Sequence, residues 1–375
     1  MFLKKLFGSR LDLIILVSIS IIFLSSLITI NSFGTGDSHF IKQSIWIVIS
    51  FLVIYFLSSF DYRFLKQTRV VVLLYAIFLF ILSLLFILGH ISKGAQSWFS
   101  FGQLAFQPTD FMKLVLIVVL AKYFSRRHIE IANIRHIIVS AVYTLIPFLL
   151  ILMQPDFGSA MIIFLIWLGM VLVSGISKKH LFLVFLIGTV IFLVSWRLLF
   201  KPYQKARIMN FIYPLRDIRG TGYNAFQATI AVGSGGLLGK GAGYGTQSRL
   251  NFLPEYRTDF VFAAFAEEWG FLGTIFLFVF YFLILYRLAV FANLAESNFE
   301  SLFNYGVMVW FFSHIIINIG MNIGVMPVTG IPLPFMSYGG SHILAECVAL
   351  GVCMGMNKYG RAVHRNQMKN EFLGL

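Results

Sequence analysis

The stretch Leu11-Asp12-Leu13-Ile14-Ile15-Leu16-Val17-Ser18-Ile19-Ser20-Ile21-Ile22-Phe23-Leu24-Ser25-Ser26-Leu27-Ile28-Thr29-Ile30-Asn31 decides how the rest of the chain is read. A bilayer core about 30 Å thick takes about 20 apolar residues in a helix, and this run supplies them. Lys4 and Lys5 ahead of it resemble the opening of a signal peptide. The apolar run is too long for one, however, and no small-residue cleavage site follows, so it is expected to be retained as the first span. Similar blocks lie near 40–59, 69–88, 109–124, 136–152, 157–175, 180–199, 259–286, 301–325 and 338–357. Their Phe, Ile and Leu do not alternate, which disfavours a transmembrane barrel. The expected fold is an all-α polytopic membrane protein of about ten transmembrane helices, with residues 1–375 forming a single membrane domain.

Composition agrees. The chain is 59% hydrophobic and only 12% charged, with mean hydropathy +0.86, whereas a soluble domain is about 25% charged. Basic residues fall on one side of a ten-span arrangement: Lys4, Lys5 and Arg10; Arg63, Lys66 and Arg69; Lys122, Arg126, Arg127 and Arg135; Lys178 and Lys179; Arg287; and Lys358, Arg361, Arg365 and Lys369. The opposite short loops carry little beyond Lys42 and Lys93. Short loops rich in Lys and Arg stay cytoplasmic, so both termini are expected inside, and the long connection 200–258 outside. The net charge of +14 then reflects attraction to anionic lipid rather than nucleic-acid binding. Cys347 and Cys353 are too few for a disulfide framework and read as small apolar packing residues.

Structureless connections longer than about 15 residues are uncommon unless functional or disordered, so 200–258 is the first place to look for chemistry. It carries Arg207, Arg216, Lys240, Arg249 and Arg257 and ends in Pro254-Glu255-Tyr256-Arg257-Thr258-Asp259, where the next apolar run begins. Residues 89–108 form a second outer loop. The turn 326–337, with Pro327, Gly330, Pro332 and Pro334, is expected to be a rigid re-entrant piece beside an outer cavity, because irregular backbone at membrane depth survives only inside protein or against water.

Asp259, at a membrane boundary beside Phe260, Val261 and Phe262, has two readings. Partial desolvation would raise its pKa toward the range of a general base. Alternatively it complements a helix N-terminus, with Thr258 as the cap. Asp156 reads as a helix cap or as part of a site. Asp110 and Lys113, three apart on one helix face, read as an internal ion pair or as a lysine aimed at a substrate phosphate. Glu267 and Glu268 are adjacent, about 100° apart on a helix, so one is expected to line the cavity and the other to pair with a cation. His342 and Glu346, four apart, read as a buried hydrogen-bonded pair. The run Gly233 to Gly241 fails as a phosphate loop, because Ser234 stands at its first glycine position and Gly241 follows Lys240. Its glycines are read as permitting tight turns or close approach. No zinc signature, nucleophile elbow or dinucleotide fingerprint is present.

Three motifs together resemble the shape, elongation, division and sporulation family, most of all its rod-shape branch. They are Gly241-Ala242-Gly243-Tyr244-Gly245-Thr246-Gln247-Ser248-Arg249 running on to Glu255, Thr258-Asp259-Phe260 followed by Ala266-Glu267-Glu268 and Gly270, and Met326-Pro327-Val328-Thr329-Gly330-Ile331-Pro332 running on to Ser341. Gln107-Pro108, Gln154-Pro155-Asp156-Phe157-Gly158 and Gln204 with Arg207 add to the likeness. One departure is Asp110, where the family carries Glu, a reach one carbon shorter. Glu346 has no counterpart role in the resemblance.

The resemblance implies an inverting peptidoglycan glycosyltransferase of the bacterial inner membrane, serving cell wall biogenesis and rod shape. Its implied substrate is lipid II, a disaccharide-pentapeptide on undecaprenyl pyrophosphate, and its implied partner a class B penicillin-binding protein. Asp259 aligns with the catalytic acid. Beside it, Lys113, Arg207, Lys240, Gln247, Arg249, Arg257 and Ser337 are expected to bind substrate. Asp110, Asp156, Glu255, Thr258 and Glu267 are expected to support the cavity. The resemblance fixes no cofactor; the leaving pyrophosphate is expected to be served either by the chain's own cations or by a divalent cation such as magnesium. A lipid II flippase and a non-catalytic scaffold for a transpeptidase are the rival readings. A flippase should offer polar sites to both faces in turn, and a scaffold should tolerate loss of Asp259.

Overall fold

The structure is a computed structural model that describes residues 11–32, 38–92, 95–101, 104–126, 134–198, 200–214, 217, 220, 222–250 and 252–373; the side chains of 91–92, 95, 101, 104, 203 and 360 onward are outside that description. Of the residues singled out above, Lys4, Lys5, Arg10, Lys93, Arg127 and Arg216, and the side chains of Arg361, Arg365 and Lys369, lie outside the described residues.

Among the described residues, ten helices of 17 residues or more fall on the ten apolar blocks: α1 (Leu13–Asn31), α2 (Ser38–Leu57), α3 (Thr68–Leu88), α4 (Pro108–Ser125), α5 (Ile134–Met153), α6 (Phe157–Val173), α7 (Lys178–Leu198), α11 (Val261–Asn293), α12 (Asn298–Asn322) and α13 (Gly340–Leu373). The three between α7 and α11 are short: α8 (Pro202–Ile212), α9 (Tyr223–Ser234) and α10 (Thr246–Arg249). Seven are long and apolar enough to cross a membrane by length and composition, namely α1, α2, α3, α5, α7, α11 and α12. The shorter α6 is also apolar. Polar ends mark the other two: α4 holds Asp110, Lys113 and Lys122, and α13 runs on to a charged tail.

The core is built from α1, α4, α6, α11, α12 and α13, whose buried side chains form one continuous apolar cluster. Helix α13 packs along α2, α11 lies against both α12 and α1, and α12 also contacts α4 and α6. By contrast, α7 has no buried residue. Lipid tails are as apolar as leucine, so the bundle's specificity must come from packing and polar contacts between helices. One such contact is Arg287 of α11 with Asp12, the N-cap of α1, both nearly buried.

Two regions read as loops are structured. Three strands, β1 (His90–Ser92), β2 (Ala95–Phe101) and β3 (Leu104–Phe106), form an antiparallel sheet in the order β1-β2-β3, with His90 opposite Trp98 and Phe99 opposite Phe106. The long connection holds the three short helices α8, α9 and α10, and α9 packs on α11 and α12. Proline and glycine punctuation hid these short elements from a reading based on apolar blocks.

Candidate functional site

Helix α11 is broken at Gly270, which has φ 65° and ψ −166°. A break of this kind frees two amides below it and two carbonyls above it. The long connection supplies all four partners. The Phe271 and Leu272 amides donate to the Gly236 and Leu237 carbonyls (2.9 and 3.1 Å). The Lys240 and Gly241 amides donate to the Glu267 and Glu268 carbonyls (3.0 and 2.9 Å). Buried backbone polar groups must find partners, so segment 236–241 completes the helix. The approach is so close that a Cβ on Gly270 would stand 2.2 Å from the Gly239 nitrogen.

Glu267 and Glu268 act on the same segment. Glu267, fully buried, accepts from the Lys240 ammonium (2.7 Å), the Thr246 and Gln247 amides (2.8 and 3.1 Å) and the Thr246 hydroxyl (3.0 Å). A carboxylate at the first amides of α10 suits the positive end of that turn. Glu268 accepts from the Ser32 hydroxyl (2.5 Å) and the Gly243 amide (3.0 Å). Both acids of the pair thus fix the loop, Glu267 as the partner of a cation as expected and Glu268 through Ser32 and Gly243. Lys240 is engaged in the same clamp and its side chain stays part-exposed.

Asp259 sits two residues before α11 and is half-buried. Helix α11 begins at Val261 after Phe260, and the Thr258 hydroxyl turns back to the Glu255 carboxylate (2.9 Å). The capping role expected of Thr258 is therefore not realised. Three successive carbonyls in this turn are held from α12 and the proline-rich segment. That of Arg257 accepts from the Tyr338 amide (2.8 Å), and that of Thr258 from the Ser337 hydroxyl (2.7 Å). That of Asp259 accepts from the Asn318 and Asn322 side-chain amides (2.9 and 3.1 Å). On its side-chain face the carboxylate meets Gly330 (φ 73°), whose Cβ, if present, would stand 3.4 Å from Oδ2. Glu255 adopts φ 54°, a left-handed conformation that costs about 1–2 kcal/mol in a residue with a Cβ. The Asp259 backbone is therefore held by α12 while its half-buried side chain lies against Gly330.

Ser337, expected as a substrate contact, is 1% exposed and its hydroxyl is used on both sides, since it also accepts from the Leu333 amide (2.8 Å). It braces the turn. Lys113 is likewise buried: its ammonium donates to Asp110 (2.8 Å) and lies 3.4 Å from His314 Nε2. The internal pair is thus formed, and it engages the ammonium that the other reading aims at a substrate phosphate. Asp156 caps α6 through the Ser159 amide (3.0 Å) and accepts from the Gln107 side chain (3.2 Å). His342 Nε2 stands 2.8 Å from Glu346, and both cysteines are buried free thiols. Three cations remain toward the surface: Arg207 on α8 and Arg249 are exposed, and half-buried Arg257 lies over Tyr256 at 5.0 Å. Half-buried Gln247 stays near the Lys240–Glu267 clamp.

The polar stripe His314, Asn318, Asn322 on α12 was not singled out from sequence. Its signal was available: polar residues at i, i+4 and i+8 inside an apolar run share one helix face. Among the described residues no group of three or more His, Cys, Asp and Glu gathers as a metal-ligand set. A cavity of about 230 Å³ lies at the opposite end of the bundle, lined by Asp61, Lys66, Glu300 and Tyr359 among others. It is far from Asp259 in the fold and shares no residue with that site.

Residues 6–362 match the family model described as cell cycle protein, covering FtsW, RodA and SpoVE. The chain is 35% identical to the peptidoglycan glycosyltransferase MrdB of Escherichia coli (strain K12), over 77% of this chain and 79% of that one. It is 32% identical to stage V sporulation protein E of Bacillus subtilis, over 87% and 89%. Among solved structures it resembles a chain from a study of polymerization and crosslinking by a peptidoglycan synthase complex (TM-score 0.81, 29% identity, 92% of this chain and 97% of that one). It also resembles the rod shape determining protein RodA of Thermus thermophilus (TM-score 0.67, 27% identity, 92% and 96%).

Proposed function

Since this chain belongs to the FtsW/RodA/SpoVE family of cell cycle proteins and is a multi-pass membrane peptidoglycan glycosyltransferase, we propose that Asp259 is the general base of its polymerisation reaction. The substrate is lipid II, at the outer face of the bacterial inner membrane, and the product is glycan for elongation and rod shape. The observation that carries this reading is the seating of Asp259: its carbonyl is pinned by Asn318 and Asn322 while its half-buried carboxylate faces Gly330.

The chemistry needs one such acid. An acceptor sugar hydroxyl attacks the donor's anomeric carbon, and a new glycosidic bond forms as the bond to pyrophosphate breaks. The electron pair leaves with the pyrophosphate, and Asp259 takes the hydroxyl proton. A positioned carboxylate base contributes typically about 10²–10⁴-fold. Inversion in a single displacement requires no covalent intermediate, unlike the double displacement of retaining hydrolases. Negative charge growing on the leaving pyrophosphate is stabilised by cations. Arg207, Arg249 and Arg257, on the Asp259 side of the bundle, supply them. Magnesium, if it serves the reaction, would be carried by the pyrophosphate oxygens, with Glu255 the nearest acid in sequence. A class B penicillin-binding protein then cross-links the peptides.

The test is lipid II polymerisation by the purified full chain with that partner in detergent micelles, where no two membrane sides exist. Glycan strands of many disaccharides are expected. A chain that only moves lipid II across a bilayer, or only recruits a transpeptidase, makes none.

A further inference from the structure

The segment 331–338 is non-helical backbone buried among helices. Its polar groups are held by side chains from different elements: the Pro334 carbonyl by the Tyr281 hydroxyl (2.6 Å), the Met336 carbonyl by the Ser26 hydroxyl (2.6 Å) and the Ile331 carbonyl by Asn318 (2.7 Å). Two of its contacts belong to a single buried polar chain that starts and ends on this turn. The Phe335 amide donates to Glu346 Oε2 (2.9 Å), and Glu346 Oε1 meets His342 Nε2 (2.8 Å). His342 Nδ1 lies 3.5 Å from Asp110, which pairs with Lys113 (2.8 Å). Lys113 reaches His314 Nε2 (3.4 Å), and His314 Nδ1 closes the ring on the Pro332 carbonyl (3.1 Å). For His314 this fixes the proton on Nδ1, because an ammonium can only donate to the other nitrogen. Phe335 is the residue that needs holding: it is 1% exposed and carries φ 59°, a conformation that persists in a non-glycine residue only when its surroundings impose it.

We propose that Glu346 is a positioning residue for glycan polymerisation. Through its hydrogen bond to the Phe335 amide it clamps the turn whose other residues, Gly330, Ser337 and Tyr338, seat Asp259 and the two residues before it. Asp110 and Lys113 meet the same turn through His314, whose Nδ1 bonds the Pro332 carbonyl. This inference rests on the reading of Asp259 as base, since it assigns Glu346 to the support of that site.

Two conservative variants separate reach from charge. Glu346→Gln keeps an oxygen at the same reach and loses the charge. Glu346→Asp keeps the charge and falls one carbon–carbon bond short of the Phe335 amide. Both are measured in the full chain with its transpeptidase partner in nanodiscs, by amide hydrogen exchange of the peptide containing 331–338 and by lipid II kinetics. In Glu346→Asp, exchange of that peptide is expected to quicken about tenfold, as one charge-assisted hydrogen bond is lost. Its kcat is expected to fall about tenfold with KM little changed, because a misplaced base affects turnover and not substrate binding. Glu346→Gln is expected to recover most of both. The inference is overturned if Glu346→Asp matches wild type in either readout, or if Glu346→Gln is as impaired as Glu346→Asp. Full activity in Asp259→Asn would remove the base and leave the exchange result standing. Unchanged exchange in Glu346→Asp removes the clamp and leaves Asp259 untouched.

Discussion

At the scale of single residues, the account turns on how little freedom Asp259 has. Two asparagines one helical turn apart donate to its carbonyl, and Asn318 also serves Ile331. Asn318→Leu removes a donor shared by both carbonyls, and a buried polar group left without a partner costs about 1–3 kcal/mol. Thermal unfolding in detergent should register that loss, and lipid II turnover should fall further than stability alone explains. Gly330→Ala is expected to cost about 1–2 kcal/mol through its positive φ and to place a methyl 3.4 Å from the carboxylate. Its kcat should drop while lipid II KM stays within a factor of about two, since the base is disturbed and not the binding surface. An unaltered kcat would show that the carboxylate works elsewhere. The position of Asp259, at a boundary between polar loop and apolar run, is legible in the sequence, whereas its proposed role as base comes from the family resemblance. The pairing of Lys113 with Asp110 is one of its two sequence readings, but the employment of Lys240 by Glu267 and of Ser337 by Thr258 is not legible. Those partners lie far off in sequence, and a side chain's availability depends on which groups the fold brings to it.

At the scale of elements, the break in α11 is the device that joins the long connection to the bundle. Four backbone groups freed at Gly270 are all taken up by segment 236–241, so the loop and the helix stand or fall together. Gly239→Ala would drive a Cβ to 2.2 Å from the Glu268 carbonyl, and overpacking of this kind costs about 1–3 kcal/mol. The expected signature is local: proteolysis and hydrogen exchange quicken over 235–249 while α12 and α13 stay protected. Uniform destabilisation of the whole bundle would contradict the coupling. The long helices were readable because a span must be apolar along its whole length. The β-sheet and the helices α8 to α10 were not, since such short elements draw their stability from the surfaces they meet and leave no long periodic signal. The proline-rich turn was recognised as irregular from its prolines, but the side chains that hold it come from α1, α2, α11, α12 and α13, which no local pattern reveals.

At the scale of the whole molecule, basic residues collect at one end of the bundle, and the Asp259 site lies at the other. By the positive-inside rule, the proposal is that the site faces outside the cell. A tag at exposed Tyr244 should be labelled by an impermeant reagent added to intact cells, and one between Lys178 and Lys179 only after permeabilisation. The reverse pattern would place the site in the cytosol and remove it from peptidoglycan. The expected orientation rests on charge bias alone, which is written in composition. The site's depth is not written there, since it depends on how α11 and the 326–337 segment fold back on one another. The most direct measurement is glycan synthesis from purified lipid II by Asp259→Asn in complex with its transpeptidase partner, beside wild type of equal thermal stability. Loss of at least about 100-fold in rate is predicted, the lower bound for a positioned general base. A rate within a few-fold of wild type would contradict the account.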